Sequence, residues 1–371
     1  MNLRSSVLKI IIAAFLVAGL SLSLGSLSKA SHTQDNNPVA MVAMVSGDAQ
    51  FQVAESSYKM NHAYCVETGA GQCPVGFNKL YLMQKLAPGD QIKTNSNGKI
   101  TVIYFYDGHT ETIGSDASAK IDFKTLSDVS GSVDRSGMGN QTEIFEVPYF
   151  LQGVLTDKAL APADEPGAKE NEEMYLKSSA NTEVYPPAFS WADTGAKQYK
   201  FQLFNEWNEF IYESVITTNS FKYPMDAPLQ LTKGGLYYWQ VLTMDNQRVV
   251  PKTPFKITTA IQANLIKDWE TQFENSKKMD PNNTVPYIKM LLLYNNFRMW
   301  GKLVRLTEAI RDIDSQNPLP YRTLARLYLV RGCPYFARES LQKAVALGAE
   351  DPVIKVPEEI PIQRKDLPQI Q

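Results

Sequence analysis

Along Ile100 to Tyr106 the chain reads ITVIYFY, and neither alternate set of side chains is polar: Val102, Tyr104 and Tyr106 interleave with Ile103 and Phe105. Successive side chains of a strand point to opposite faces, so a strand of this kind requires cover on both sides. That requirement excludes a simple half-exposed sheet. The Asp107-Gly108 step that follows predicts a hairpin with the segment ending at Ile113. A two-residue loop at Asp107-Gly108 pairs Val102 with Ile113, whereas a three-residue loop including His109 pairs Ile103 with Ile113. One residue of slip exchanges the faces, so the two registers bury different side chains, and the three-residue form is favoured.

The chain has 371 residues, 44% hydrophobic and 20% charged, room for two or three cores of about 100–150 residues each. A net charge of −2 gives no electrostatic reason to expect nucleic acid or an anionic membrane as partner. At the start, Arg4 and Lys9 precede an apolar run from Ile10 to Leu20, followed by a Ser/Gly-rich stretch ending Ser28-Lys29-Ala30. This is the order of a secretory signal peptide, residues 1–30, cleaved after Ala30. The alternative is a retained anchor, because the run stretches to about eighteen residues if its serines are tolerated. No cysteine follows it, which argues against a lipoprotein, and no later segment is long and apolar enough to span a bilayer.

Export exposes the cysteines to an oxidising compartment. Cys65 and Cys73 flank VETGAGQ, a Gly-rich loop able to bring the two thiols together, and a structural disulfide is expected. A metal site with His62 is the rival, but no fourth ligand is evident and no metal is expected. Cys333 is left over in a helical stretch as a small buried side chain.

The fold class expected is multidomain, two all-β domains followed by α-helical repeats. Residues 39–126 alternate in short runs between Gly, Asp and Asn turns and read as a β domain. Residues 127–173 read as a linker with short strands in EIFEVPYFLQGVL, and residues 174–259 as a second β domain. Helices are expected over 261–350, and an extended Pro-rich tail over 351–371.

Three stretches resemble known families. Gly47-Asp48 and LAPGDQIKTNSNGKITVIYFYDGHTETI are similar to the FecR-like periplasmic domain over roughly Met41 to Phe123. That resemblance implies a β fold and a periplasmic, cell-envelope location. Unlike the transmembrane regulators of that family, the chain is expected to lack a cytoplasmic domain ahead of its apolar run. The stretch from Pro186 to Gln247, with a proline before the Trp191 strand and Gly234-Gly235 before YYWQV, resembles a fibronectin type III-like, Ig-like sandwich. Trp191 and Trp239 are expected in its core, and Trp207 at its surface, where a sugar could stack. Tyr287 and Tyr321, Tyr294 and Tyr328, and Leu293 and Leu327 are each thirty-four residues apart, which resembles tetratricopeptide repeats. In the better copy Ala325, Gly332, Ala337 and Ala344 hold the small positions. In the earlier copy Leu291, Arg298 and Thr307 stand where small or aromatic residues are usual. Two and a half repeats are too few to stand alone, so docking onto the sandwich or a partner is expected. The resemblance places Ile288, Leu292, Asn295, Asn296, Arg322, Arg326 and Leu329 on the concave, partner-binding face. Arg322 and Arg326, one helical turn apart, could hold a carboxylate together, the alternative being a solvated basic face.

Little in the sequence looks catalytic. The histidines are His32, His62 and His109, and no G-x-S-x-G, H-E-x-x-H or Gly-rich nucleotide motif occurs. The acidic run Glu170 to Glu173 falls in the expected linker, which cannot hold two carboxylates at a fixed separation. The reading is a non-catalytic periplasmic scaffold without cofactor, whose partners are envelope proteins or peptide segments, then peptidoglycan or another glycan. A membrane-anchored FecR-type sensor or a glycan-binding protein is the alternative.

Overall fold

A computed structural model describes residues 38–54, 76–137, 166–182 and 184–348. The leader, the Cys65 and Cys73 pair with His62, the segment EIFEVPYFLQGVL and the Pro-rich tail lie outside the described residues. Among the described residues, four antiparallel sheets precede a carboxy-terminal region of five helices.

The first β-region contains β1 (Ala40–Ser46), β2 (Ala49–Gln52), β3 (Asn78–Lys79), β4 (Lys85–Leu86) and β5 (Gln91–Thr94). It continues with β6 (Lys99–Tyr104), β7 (Thr110–Ile113), β8 (Ser118–Ile121), β9 (Leu126–Ser130) and β10 (Val133–Ser136). The strands form two five-stranded sheets, ordered β10-β7-β6-β1-β4 and β3-β2-β5-β8-β9. Val42, Ile100, Val102, Tyr104 and Ile113 of the first share a core with Phe51, Ile92, Ala119 and Ile121 of the second. At the turn between β1 and β2, Gly47 has φ 66, and a Cβ there would stand 2.1 Å from Asn97 O, so only glycine fits.

The other face of β1 and β6 belongs to a different core. Met41, Ala43, Ile103 and Phe105 cluster with the carboxy-terminal helices. Along β6 both alternate sets are therefore covered, one by a sheet and one by helices, and Val102, Ile103 and Tyr104 are all 0% exposed, whereas Tyr106, beyond the strand's end, is 37% exposed.

The hairpin register differs from both expectations. Ile100 pairs with Ile113 and Ile103 with Thr110, and the loop is Phe105–Gly108, closed by the Tyr104 N–H to His109 O bond at 3.0 Å. The cause is tertiary: the Phe105 N–H donates to Val39 O at 2.9 Å, so β6 keeps pairing with β1 after β7 has ended. The favoured three-residue loop would have turned Ile113 to the helical side. The observed register keeps it between the sheets.

After helix α1 (Ala168–Leu176) come β11 (Ser179–Asn181), β12 (Ala188–Ser190), β13 (Tyr199–Phe204), β14 (Phe210–Ile216), β15 (Ser220–Lys222), β16 (Leu236–Thr243) and β17 (Arg248–Lys256). They form sheets β11-β12-β15 and β14-β13-β16-β17 around an aromatic core of Phe189, Trp191, Phe201, Trp239 and Phe255. Rings of Phe189 and Trp239 lie 5.0 Å apart, and those of Phe189 and Phe201 4.9 Å apart, in the range where aromatic pairs attract beyond their buried area. Trp207 is 70% exposed, as expected.

The helices are α2 (Ala260–Met279), α3 (Val285–Asn296), α4 (Trp300–Ile313), α5 (Pro318–Val330) and α6 (Pro334–Ala346). Thr259 and Gln262 form a capping box at the start of α2, and Asn317 caps α5 ahead of a proline at its first turn. Residues 298 and 332, thirty-four positions apart, both adopt the left-handed conformation, at φ 55 and 70. The helices share an apolar core with the first β-region and meet the second at the Gly332 turn, beside Pro251. Thr284 Oγ1 donates to Ala43 O at 2.6 Å, and Asn317 Nδ2 to Leu82 O at 3.0 Å.

Candidate functional site

The expected concave face meets the chain's own β-sheet. Ile288, Leu292 and Asn295 are 0% exposed, and the first two sit in the cluster that holds Met41, Ile103 and Phe105. These three positions do not line an open groove, which corrects that expectation: the apolar outer face of β6 needs the same cover a peptide would have supplied. Arg322 is 6% exposed, whereas Asn296, Arg326 and Leu329 are half-buried. Asn295, Asn296, Arg322 and Arg326 already have interaction partners, so the two arginines are not a bare solvated stripe.

His109 is the centre of a buried polar cluster. Its Nδ1 lies 2.5 Å from Asp107 Oδ1 and its Nε2 3.3 Å from Glu111 Oε1, and its ring stacks on Tyr104 at 4.7 Å. Glu111 accepts from the Leu126 N–H at 2.7 Å and from Arg135 Nε at 3.0 Å. A histidine between two carboxylates has the elements of a proton relay. Here both His109 and Glu111 are 0% exposed, and the Glu111 bonds run to residues at the start of β9 and in β10. The cluster satisfies buried polar groups while tying the β6–β7 loop to those strands.

The acidic run expected in a linker forms α1 instead. Glu172 is 3% exposed and accepts the amide hydrogens of Tyr335 at 2.7 Å and Phe336 at 3.0 Å, placing a carboxylate at the amino terminus of α6, where the helix dipole favours it. At the other end of α1, Arg331 Nη2 donates to Tyr175 O at 2.9 Å, Ser178 O at 3.0 Å and Ser178 Oγ at 3.1 Å. A cation thus meets carbonyl oxygens at and just beyond a helix carboxy terminus, where the dipole favours it. Arg331 is only 3% exposed, and burial, with the neighbouring charge of Arg305, holds its pKa below the guanidinium range. Cys333 beside it is fully buried, and burial pushes its thiol up to about 12, so it is not a nucleophile at neutral pH.

Around this anchor opens a cavity of about 310 Å³ between α4, the β11 segment and β17. Its walls include Trp239, Phe255 and Trp300, and its charged lining residues are Arg298, Lys302, Arg305 and Arg331. None of these four was expected as a site residue. One signal was present: Arg298 stands thirty-four residues before Gly332, where the later copy has a glycine.

Among the described residues no group of three or more His, Cys, Asp or Glu side chains could hold a metal ion, and no helix is long and apolar enough to cross a membrane. No protein-family model matches the chain, and no curated protein matches it significantly.

Proposed function

We propose that the chain is a non-catalytic component of a cell-envelope assembly, exported by its leader and acting by presenting binding surfaces. On this reading the first ten strands are a FecR-like periplasmic domain, the following two sheets a fibronectin type III-like sandwich, and the helices a tetratricopeptide-like repeat. The observation that carries the proposal is the single core shared by Met41, Ile103, Phe105, Ile288 and Leu292. It holds helices and β-region as one body, which suits a spacer whose surfaces must keep fixed positions. The buried ionisable groups support it as well, since His109, Glu111, Glu172 and Arg331 are engaged in bonds that join elements.

Envelope proteins or peptide segments are the partners favoured, reached through the half-buried positions Asn296, Arg326 and Leu329. Exposed Trp207 and Phe210, at 70% and 56%, favour a glycan as the second reading, because flat aromatic rings in water offer sugar-stacking surfaces. A photoreactive residue placed at Arg326, and separately at Trp207, tests both in intact cells. A discrete protein adduct from the first position supports the proposal, and enrichment of glycan on the second supports the alternative. Absence of any adduct, or turnover of a substrate by purified protein, overturns the proposal. Amino-terminal sequencing decides export: a chain starting at Ser31 has lost its leader.

A further inference from the structure

We infer that the outer face of the sheet β14-β13-β16-β17 binds an extended, uncharged glycan, its sugar rings laid across the strands. This rests on the second reading above, which gives Trp207 a sugar to stack on, and adds the surface that holds the chain and the charge class of the ligand.

Two rows of side chains cross that face. Phe204 pairs with Tyr238 on one side and with Phe210 on the other, so three aromatic residues stand in line. Two residues back along β13, Gln202 pairs with Gln240 and with Glu213. This second, polar row shares the face and lies about 6.6 Å from the first at the usual strand rise. The intervening residues Phe201 and Leu203 point the other way, into the aromatic core.

The backbone aims the aromatic row outward. A regular ladder would oppose Phe204 to Ile211 and turn Phe210 inward. Instead the register shifts between Leu203 and Phe204, Ile211 packs on the core, and Phe210 stands 56% exposed, its ring 6.0 Å from that of Phe204. Bulges that re-aim a side chain gather at functional sites. A face serving solubility alone has no need to turn a phenyl ring into water. Asn205 Oδ1 accepts the amide hydrogens of Trp207 at 3.1 Å and Glu209 at 2.9 Å, which fixes the loop that carries Trp207 between Phe204 and Phe210.

The polar row is ordered before any ligand arrives. Gln240 Nε2 donates to Gln202 Oε1 at 2.6 Å, and Gln202 Nε2 to Glu213 Oε2 at 2.7 Å. Both donors point towards Glu213, so one bond polarises the next, and each side chain keeps a second hydrogen or lone pair for an outside group. Sugar hydroxyls, which donate and accept, match such a row beside aromatic rings. The charges disfavour an acidic glycan. Glu213 is an anion within the row, and the neighbouring cations are engaged: Lys252 Nζ donates to Asn208 Oδ1 at 2.7 Å and lies 3.4 Å over the Phe204 ring, and Lys200 Nζ donates to Asn246 Oδ1 at 3.1 Å.

Isothermal titration of the purified full chain with cellohexaose and with chitohexaose tests the inference, with an oligogalacturonate as the acidic control. A neutral oligomer should bind with little dependence on salt, and more tightly than the acidic one. Phe210 and Glu213 are exposed and Gln202 half-buried, so Phe210→Ala, Glu213→Ala and Gln202→Ala are expected to melt like the parent. Each should weaken binding about tenfold, the size of one aromatic contact or hydrogen bond. Affinity lost in Trp207→Ala but unchanged in those three variants keeps the stacking tryptophan of the second reading and overturns the sheet face. Tighter binding of the oligogalacturonate overturns the inference through its charge class. No binding of either neutral oligomer at millimolar concentration overturns it together with the glycan reading.

Discussion

Replacing Ile103 with alanine tests whether helices and first β-region form one folding unit. Ile103 is 0% exposed and shares its cluster with Ile288 and Leu292. The change removes three carbons, about 2.4 kcal/mol of transfer free energy at about 0.8 per methylene group. The void left between sheet and helix raises the expected loss to about 3–4 kcal/mol. Were that face of β6 open to water, the same change would cost within about 0.5 kcal/mol. Urea unfolding followed by tryptophan fluorescence is the assay, because all five tryptophans lie outside the first β-region, at positions 191, 207, 239, 269 and 300. A substitution in β6 reaches the Trp269 and Trp300 signals only if the helices unfold with the sheet. A midpoint lowered by the amount above is expected. A loss below about 0.5 kcal/mol, or a fluorescence transition that does not move, refutes the shared core.

Three further outcomes follow from single contacts. Gly332→Ala forces a Cβ to 2.7 Å from Pro251 Cγ at φ 70 and should cost about 1–3 kcal/mol; an unchanged melting temperature would show that the α5–α6 turn does not press on β17. Burial pushes the Glu172 carboxyl up despite its two amide donors, so between the unfolded and folded pKa values the folded chain holds more protons than the unfolded one. The stability contributed by this group therefore grows as pH falls through the folded value and is complete below the unfolded one. Glu172→Gln should remove that slope from chemical denaturation curves above the ordinary glutamate range of about pH 4, and a slope identical to the parent's contradicts the assignment. Cys333 should resist iodoacetamide in the folded chain at neutral pH and react on unfolding, read by mass spectrometry of its peptide; rapid modification of the native protein contradicts its burial.

What is legible in the sequence is what local pattern determines. The alternation of Val102, Tyr104, Ile103 and Phe105 states that both faces need cover, and the structure supplies it. Which elements provide it is not legible, because Thr284 meets Ala43 across 241 positions of chain and nothing near either residue names the other. The hairpin register fails for the same reason: the turn residues favour a tight loop, but the Phe105 bond to Val39 overrides them. Ile288, Leu292 and Asn295 are buried, not open, because the repeat pattern identifies an inner face without saying what occupies it.

The two sites missed in the sequence differ in kind. Helix α1 could have been found locally, since AKENEEMYL consists almost wholly of good helix formers. What hid it is that such a polar stretch is equally suited to a linker until Tyr335 bonds its Glu172 and Arg331 bonds Ser178 just past its end, each from more than 150 residues away. The arginine cavity carried a different signal, an arginine standing at the glycine position of a repeat. A repeat that merely decays exchanges its glycine for something the backbone tolerates, such as asparagine, whereas Arg298 keeps the left-handed conformation and bears the strain. A side chain maintained against its own backbone preference calls for a compensating interaction at its far end. That end lies beside Trp300, with the guanidinium carbon 5.8 Å from the ring centroid, at the wall that Arg305 and Arg331 also line. The departure from the repeat, more than the repeat itself, is where the sequence marks a site.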